Sequence, residues 1–229
     1  MRTLGLLGGM SWESTATYYQ QLNRGVRDRL GGLHSARLLL ASVDFADIEA
    51  MQAEGRWDDA GRHLADWARS LQAGGAEGLL LCTNTMHRVI TPIAEAVTIP
   101  VLHIADGTAD ALLADRIDTV GLLGTRYTME QDFYASVLRD RGLKVLAPDE
   151  PARTTVHDTI YDELCLGVVR EESRQAYLTI VEELSAAGAQ AVILGCTEIG
   201  MLLDAGNCPL PVYDTTLLHV KAALDWALA

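Results

Sequence analysis

The sequence predicts an α/β fold that is present in two copies. Short apolar runs alternate with longer amphipathic segments, which is typical of parallel strands covered by helices. Leu79–Leu81 and Ala191–Leu194 are apolar at every position, as are parallel strands that are buried on both faces. Three motifs also recur in the same order in the second half of the chain, so we expect two mostly parallel sheets.

Eight apolar runs are predicted as strands, with helices between them. The predicted strands, in chain order, are Leu4–Leu7, Arg37–Val43, Gly78–Leu81, Val101–Ile104, Thr119–Leu123, Leu143–Ala147, Ala191–Leu194 and Leu210–Tyr213. Asp59–Ala73 and Glu172–Ala187 carry apolar residues three and four positions apart, and this spacing predicts amphipathic helices.

The recurring motifs predict where the two domains lie. Each pairs a segment of the first half with one of the second: Thr3–Gly8 with Thr119–Gly124, Cys82-Thr83 with Cys196-Thr197, and Ile99–Val101 with Leu210–Val212. We therefore expect a first domain over 1–113 that carries Cys82 and a second over 114–229 that carries Cys196. The C-terminal helix could also return to the first domain.

Composition and charge exclude several classes of function. The 229 residues are 49% hydrophobic, which supports a packed core rather than disorder. The formal net charge is −13, which disfavours binding to nucleic acid or to an anionic membrane surface. No apolar run is long enough to span a bilayer, and the N-terminus does not resemble a signal peptide. We therefore expect a cytoplasmic protein with reduced cysteines.

Two cysteines are the candidate reactive groups. Parallel α/β sheets bind ligands beyond the carboxyl ends of their strands, and Cys82 and Cys196 both follow predicted strands. A thiol at a helix N-terminus is expected to have a lowered pKa. If the halves face each other about a pseudo-two-fold axis, the two thiols would flank one small carboxylic acid. One could then remove a proton and the other deliver one on the opposite face.

Taken alone, a cysteine at a strand end is more often a small buried hydrophobic residue than a catalytic group. The matched Cys-Thr pairs reverse this preference for Cys82 and Cys196. Cys165 has helical apolar spacing and is expected in the core, and Cys208 is expected in a loop.

The motifs resemble those of the aspartate/glutamate racemase family, the cofactor-independent amino-acid racemases. The resemblance covers essentially the whole chain, and the motifs that carry it are Leu4–Ser14, Cys82–His87, Gly124–Met129 and Gly195–Ile199. It implies two flavodoxin-like domains with the active site at their junction, a homodimer, no cofactor, and Cys82 and Cys196 as the two acid/base residues.

The same resemblance implies which residues contact an amino-acid substrate. They are Met10, Gln52, Asn84, Thr85, Thr125 and Thr197, with Asn84, Thr85 and Thr197 around the α-carboxylate. Thr83 and Glu198, beside the cysteines, are included as binding residues; Glu198 could tune Cys196 or simply favour a helix N-terminus. Aspartate-specific relatives place an Arg and a Lys near the positions of Ile48 and Cys165. We therefore expect either a broad or neutral amino-acid specificity or a substitute cation such as Arg126.

A cofactor-dependent enzyme, a metal site, a nucleotide-binding module and other reactions of the superfamily are the alternatives to this function. Pyridoxal phosphate requires a lysine, and neither Lys144 nor Lys221 follows a motif-bearing strand. Cys82 and His87 with His103 or His157 fit no zinc spacing, so no metal is expected. The glycines after the first strand match no nucleotide motif, yet a small-ligand or nucleotide-binding module stays as an alternative. Within the superfamily, a maleate-type cis–trans isomerase or a hydantoin racemase stays open.

Overall fold

The computed structural model describes residues 1–229. The chain divides into two compact units, one formed by Met1–Ile104 with His219–Ala229 and the other by Ala105–Leu218. No helix in the structure is both long enough and apolar enough to cross a membrane.

The first unit contains a four-stranded parallel sheet with the strand order β2-β1-β3-β4. Its strands are β1 (Leu4–Gly8), β2 (Leu38–Ser42), β3 (Gly78–Leu81) and β4 (Val101–Leu102). Its helices are α1 (Trp12–Leu30), α2 (Phe45–Ala53), α3 (Trp57–Ala73) and α4 (Ile90–Glu95), with a 3₁₀ helix at Thr85–Val89.

The second unit contains an equivalent sheet with the order β6-β5-β7-β8. Its strands are β5 (Thr119–Gly124), β6 (Lys144–Leu146), β7 (Ala191–Gly195) and β8 (Val212–Asp214). The helices in this part of the chain are α5 (Ile104–Ala114), α6 (Arg126–Glu130), α7 (Asp132–Asp140), α8 (Glu150–Asp162), α9 (Glu171–Ala186) and α10 (Thr215–Leu228), with 3₁₀ helices at Leu164–Leu166 and Thr197–Met201. Helix α5 begins in the first unit, and α10 ends there.

The predicted α/β architecture with two parallel sheets is confirmed, and all eight predicted strands are present. The predicted strand Val101–Ile104 is too long, because it ends at Leu102 and Ile104 already begins α5. Cys165 lies in the 3₁₀ helix after α8 rather than in an α-helix, although it packs on the hydrophobic core as expected.

Alternating side chains divide the core of the first unit between the two faces of its sheet. Leu7, Leu79 and Leu81 pack on the face covered by α2 and α3. Leu4, Leu6 and Leu80 pack on the opposite face with residues of α1 and α10. Successive residues of a strand point to opposite faces, so an apolar run such as 78–81 fills both layers.

The duplication extends to individual hydrogen bonds. In the first unit, Glu77 N–H donates to Thr3 O (2.8 Å) and its carboxylate accepts from Thr3 N–H. In the second, Gln190 N–H donates to Thr119 O (2.9 Å) and its side-chain oxygen accepts from Thr119 N–H. The same strand-start connection is thus built twice.

Candidate active site

The predicted site residues of the first unit lie at the carboxyl edge of its sheet. Met10 comes after β1, and the segment 83–85 comes after β3. Gln52 lies in α2, where its amide nitrogen donates to Met86 Sδ (2.9 Å). All are buried except Thr83, which is partly exposed.

A glycine shapes the turn beside Met10. Gly9 has a φ of +92°, and a Cβ on it would lie 2.2 Å from Val43 O. Its backbone N–H donates to Thr15 Oγ1 (2.8 Å) in the first turns of α1. A side chain is excluded by both the backbone conformation and the space, so this glycine brings the β1 turn close to the end of β2.

Cys82 does not lie among these groups. Its side chain is fully buried in the cluster that contains Leu80, Tyr18 and Leu22, on the α1 face of the sheet. Its thiol is 3.9 Å from Leu80 O, the one acceptor that it approaches. Burial raises the pKa of this thiol strongly. Cys82 therefore has the surroundings of a small core residue, which is the more common role of a cysteine at a strand end.

The strand register shows that Cys82 is not the counterpart of Cys196. Leu7 pairs with Leu81, whereas Leu123, its repeat partner, pairs with Leu194. The β3–β4 connection agrees, since Leu79 N–H donates to Pro100 O and Val192 N–H to Pro211 O. The equivalent positions, Leu81 with Leu194 and Leu79 with Val192, are each 113 residues apart. Cys82 and Cys196 are 114 residues apart.

This one-residue shift changes the pairing of the two motifs. Cys82 corresponds to Gly195, and Thr83 corresponds to Cys196. The sheet faces agree, because Cys196 packs on the same core cluster as Leu194, whereas Cys82 packs on the face of its sheet opposite to Leu81. The sequence alignment of the two Cys-Thr pairs is therefore wrong by one residue.

Cys196 lies at the end of β7 with a carboxylate beside it. The residue is partly exposed; its thiol donates to Glu198 Oε2 at 2.9 Å, and Thr197 Oγ1 donates to the same oxygen at 2.6 Å. Glu198 is 7% exposed. Burial first, and then the Glu198 carboxylate, raise the pKa of the Cys196 thiol. Glu198 therefore contacts the thiol directly, and it also lies in the first turn of the 3₁₀ helix Thr197–Met201.

The expected lowering of the thiol pKa by a helix N-terminus is wrong for both cysteines. The segments that follow them, Thr85–Val89 and Thr197–Met201, are 3₁₀ helices of five residues each. Aligned peptide dipoles sum over a helix, so the short turn after Cys196 supplies little field, and the helical segment after Cys82 begins only at Thr85. Desolvation, which disfavours the thiolate, is the larger effect in both places.

Thr125 and Arg126 lie at the equivalent edge of the second unit, after β5. Thr125 is buried and caps α6 by accepting from Thr128 N–H (3.4 Å). Arg126 is exposed, and its guanidinium donates to Thr154 Oγ1 (3.3 Å). The backbone N–H of Arg126 donates to His157 Nδ1 (3.2 Å). Burial, together with the nearby Arg126 cation, lowers the pKa of His157.

The two positions where aspartate-specific relatives carry cations are apolar in this structure. Ile48 is fully buried in the core of the first unit. Cys165 packs at the edge of the core of the second unit. His87, which the sequence analysis considered as a metal ligand and rejected, donates from Nδ1 to the Thr83 carbonyl at 2.7 Å.

Comparisons with known proteins agree with this architecture. The model of the Asp/Glu/hydantoin racemase family matches residues 7–223. A broad-specificity amino-acid racemase from Bacillus subtilis, RacX, is 23% identical over 99% of this chain and 98% of its own length.

Two crystal structures match this chain over the full length of both proteins. A candidate Asp/Glu racemase from Yersinia pestis is 50% identical with a TM-score of 0.94, and an aspartate racemase homologue from Pyrococcus horikoshii is 28% identical with a TM-score of 0.87. With a family match over nearly the full length and the same fold throughout, the chain belongs to the Asp/Glu/hydantoin racemase family and is an isomerase.

Proposed function

We propose that this enzyme racemises amino acids without an organic cofactor and that Cys196 exchanges the proton at the substrate Cα. The observation that carries the proposal is Cys196 at the end of β7, a partly exposed residue whose thiol is hydrogen-bonded to Glu198. A thiol can act as a general acid or base in proton transfer; to remove the Cα proton, Cys196 first passes its own proton to the Glu198 carboxylate that it contacts. The family match supports a reaction at an amino-acid stereocentre.

The second proton-transfer group in this proposal is Thr83 rather than Cys82. Thr83 corresponds to Cys196 in the strand register and is partly exposed, whereas Cys82 is fully enclosed by core side chains. A threonine hydroxyl is a much weaker acid than a thiol, but a carbanion at Cα is basic enough to take its proton. The proton is then replaced from solvent.

Inversion also requires groups that bind the α-carboxylate and stabilise the carbanion. Asn84, Thr85 and Thr197 follow the two proton-transfer residues directly in sequence, and their hydroxyl and amide groups suit a carboxylate. Met10 follows β1, Thr125 follows β5, and Gln52 lies in α2. We assign these six residues to substrate binding as part of the proposal.

Variants of the three candidate residues test the proton-transfer assignment. Racemisation of a panel of L- and D-amino acids is measured by chiral chromatography for the wild type, Cys196→Ser, Thr83→Val and Cys82→Ala. We expect Cys196→Ser to lose activity by about a hundredfold or more, as is usual when an acid/base group is removed. Thr83→Val should also lose net racemisation, and Cys82→Ala should keep it within about fivefold.

Solvent deuterium separates the roles of the two residues. L- and D-enantiomers have equal free energies in water, so kcat/KM for the wild type must be equal in the two directions even though Thr83 and Cys196 differ chemically. The difference appears in Thr83→Val, which should still exchange Cα–H for deuterium in one enantiomer only. A folded Cys82→Ala variant without activity, beside a fully active Thr83→Val, would return the assignment to the two-cysteine pair.

The same experiment decides between racemisation and other reactions of the superfamily. A maleate-type isomerase would use the thiol as a nucleophile and would place no deuterium at Cα of an amino acid. A hydantoin racemase would act on hydantoins and leave free amino acids unchanged. A binding module would turn over none of them.

For the substrate, we propose acidic amino acids, with Arg126 as the cation for the side-chain carboxylate. Arg126 directly follows Thr125 at the end of β5, is exposed, and has the neutral hydroxyl of Thr154 as its side-chain partner. Most other arginines of this acidic chain are paired with carboxylates. A second substrate carboxylate would be costly to bind without a cation.

Arg126→Gln tests this assignment. Loss of a charge-assisted hydrogen bond, about 1.5–3 kcal/mol, should lower kcat/KM for aspartate and glutamate by about tenfold to a hundredfold and leave alanine nearly unchanged. Arg139→Gln removes an exposed arginine that is paired with Asp132 and serves as the matched control. Equal losses for acidic and neutral substrates would contradict the role of Arg126.

A further inference from the structure

His87 is a buried histidine with hydrogen bonds on both ring nitrogens. It is 1% exposed and lies in the 3₁₀ helix that follows Thr83 and Asn84. Its Nδ1 is 2.7 Å from the Thr83 carbonyl oxygen, and its Nε2 is 3.2 Å from the backbone nitrogen of Ile104. Proton transfer as described above does not use this ring.

These two bonds fix the protonation state of the ring. A carbonyl oxygen can only accept, so Nδ1 must carry the proton that it donates to Thr83. A backbone N–H can only donate, so Nε2 must be the unprotonated acceptor for Ile104. Only the neutral Nδ1–H tautomer satisfies both.

The surroundings of the ring favour the same neutral state. The His103 ring lies edge-on at 4.6 Å and the His219 ring at 6.1 Å between centroids. Burial, followed by these two histidines, lowers the pKa of His87 well below its usual value. His219 is itself held neutral, because its Nε2 donates to Leu102 O and its Nδ1 accepts from the Tyr18 hydroxyl.

The Thr83 turn is tight and is tied to His87 twice. Thr83 N–H donates to Leu81 O (2.9 Å), only two residues back, and His87 N–H donates to Asn84 O (3.0 Å). The imidazole also donates to the Thr83 carbonyl and accepts from Ile104 N–H, so it links the turn to the backbone just beyond β4. The direction of the Thr83 side chain is thereby coupled to a rigid, buried ring.

We propose that His87 is a positioning residue, whose Nδ1–H holds the Thr83 carbonyl and so aims the Thr83 hydroxyl for proton transfer at the substrate. This rests on the proposed function of Thr83. A displacement of about 1 Å in a catalytic group can cost about a hundredfold in rate, so a hydrogen bond that fixes this turn should act on kcat rather than on KM.

Two substitutions separate positioning from a purely structural role. Asn carries its amide nitrogen near the place of Nδ1 and can still donate to the Thr83 carbonyl. Gln reaches the place of Nε2 and can accept from Ile104 but leaves the Thr83 carbonyl without its donor. Each variant removes the ring and one of its two hydrogen bonds, so the losses of stability should be similar.

The test measures kcat and KM for L-glutamate and L-aspartate together with urea unfolding. We expect His87→Gln to lower kcat by about tenfold or more with KM within about threefold, and His87→Asn to keep kcat within about threefold. Tyr18→Phe removes the hydroxyl that bonds to His219 and is the control that lowers stability without changing kcat. Equal kcat losses in His87→Asn and His87→Gln would overturn the proposal.

Nitrogen-15 NMR of the histidine rings in the wild-type enzyme gives a readout that does not depend on activity. The Nδ1–H tautomer is expected for His87 throughout pH 6–8. An Nε2–H tautomer or a protonated ring in this range would overturn the proposal even if both variants fail to fold. A wild type that racemises no amino acid would instead overturn the proposed function, whereas equal variant losses with an active wild type overturn only the role of His87.

Discussion

Replacing Glu198 with Gln is expected to make the Cys196 thiol more reactive. In the wild type the thiol donates to Glu198 Oε2 at 2.9 Å, and the carboxylate disfavours a second negative charge on the sulfur. Gln has the same shape and keeps hydrogen-bonding groups beside the thiol, but it removes the charge. The thiol pKa should therefore fall, and the thiolate fraction at neutral pH should rise.

The distance sets the size of the effect. Two unit charges 2.9 Å apart repel by about 1.4 kcal/mol even at the dielectric constant of water, and by more in a partly buried site. Removal of this repulsion corresponds to at least about a tenfold gain in thiolate at fixed pH. Desolvation by burial remains in the variant and continues to oppose ionisation.

Alkylation by iodoacetamide, followed at each cysteine by peptide mass spectrometry, measures the thiolate directly. Cys196 should react about tenfold faster in Glu198→Gln than in the wild type at pH 7. Cys208, a partly buried loop cysteine of the same unit, is the internal control and should react at an unchanged rate. An unchanged or slower rate at Cys196, with Cys208 unaffected, would refute the electrostatic role of Glu198.

Two further predictions concern stability. The folded state holds His219 neutral, with a pKa lowered to about 4 chiefly by burial; the unfolded chain therefore binds a proton first as pH falls. The free energy of unfolding should decrease between pH 6.5 and 4, by up to about 3 kcal/mol from this group, and urea melts that show no such decrease would contradict its burial in the neutral form. Gly8→Ala would place a Cβ 2.5 Å from Thr15 Oγ1, so we expect a loss of about 1–3 kcal/mol from overpacking. Gly200→Ala, whose Cβ would meet its nearest atom at 3.5 Å, should cost much less by the same urea assay.

The sequence predicted the sheets well because buried parallel strands have a strong local signal. Runs such as 78–81 and 191–194 are apolar throughout, and each became a strand of the expected type. Strand ends were less accurate: the predicted strand 210–213 is observed at Val212–Asp214. The predicted strand 101–104 ends at Leu102, since the Ile104 N–H bonds to a histidine ring instead of a neighbouring strand. That acceptor, on His87, comes from 17 residues earlier, and no local pattern indicates it.

The electrostatics of the site depended on burial and on partners that the sequence does not show. The Cys-Thr pairs at two strand ends predicted thiols with a pKa lowered by a helix N-terminus. Burial instead raises the pKa of both thiols, the helical segment after Cys82 begins only at Thr85, and Cys196 precedes a short 3₁₀ helix. Glu198, two residues beyond Cys196, was predicted as a binding residue with its role left open. Its contact with the thiol could not be predicted, because it depends on the folded turn, which brings the two side chains together.

The one-residue error in aligning Cys82 with Cys196 is explained by the two-residue period of a strand. Shared letters align Cys82 with Cys196, but a shift of one residue sends a side chain to the opposite face of the sheet. In the first unit that face is the core layer under α1, where a thiol packs as a small hydrophobic group. The position that matches Cys196 in the strand register holds Thr83. The two halves therefore carry different residues, Thr83 and Cys196, at the position that the strand register makes equivalent, so backbone register rather than residue identity aligns the repeats.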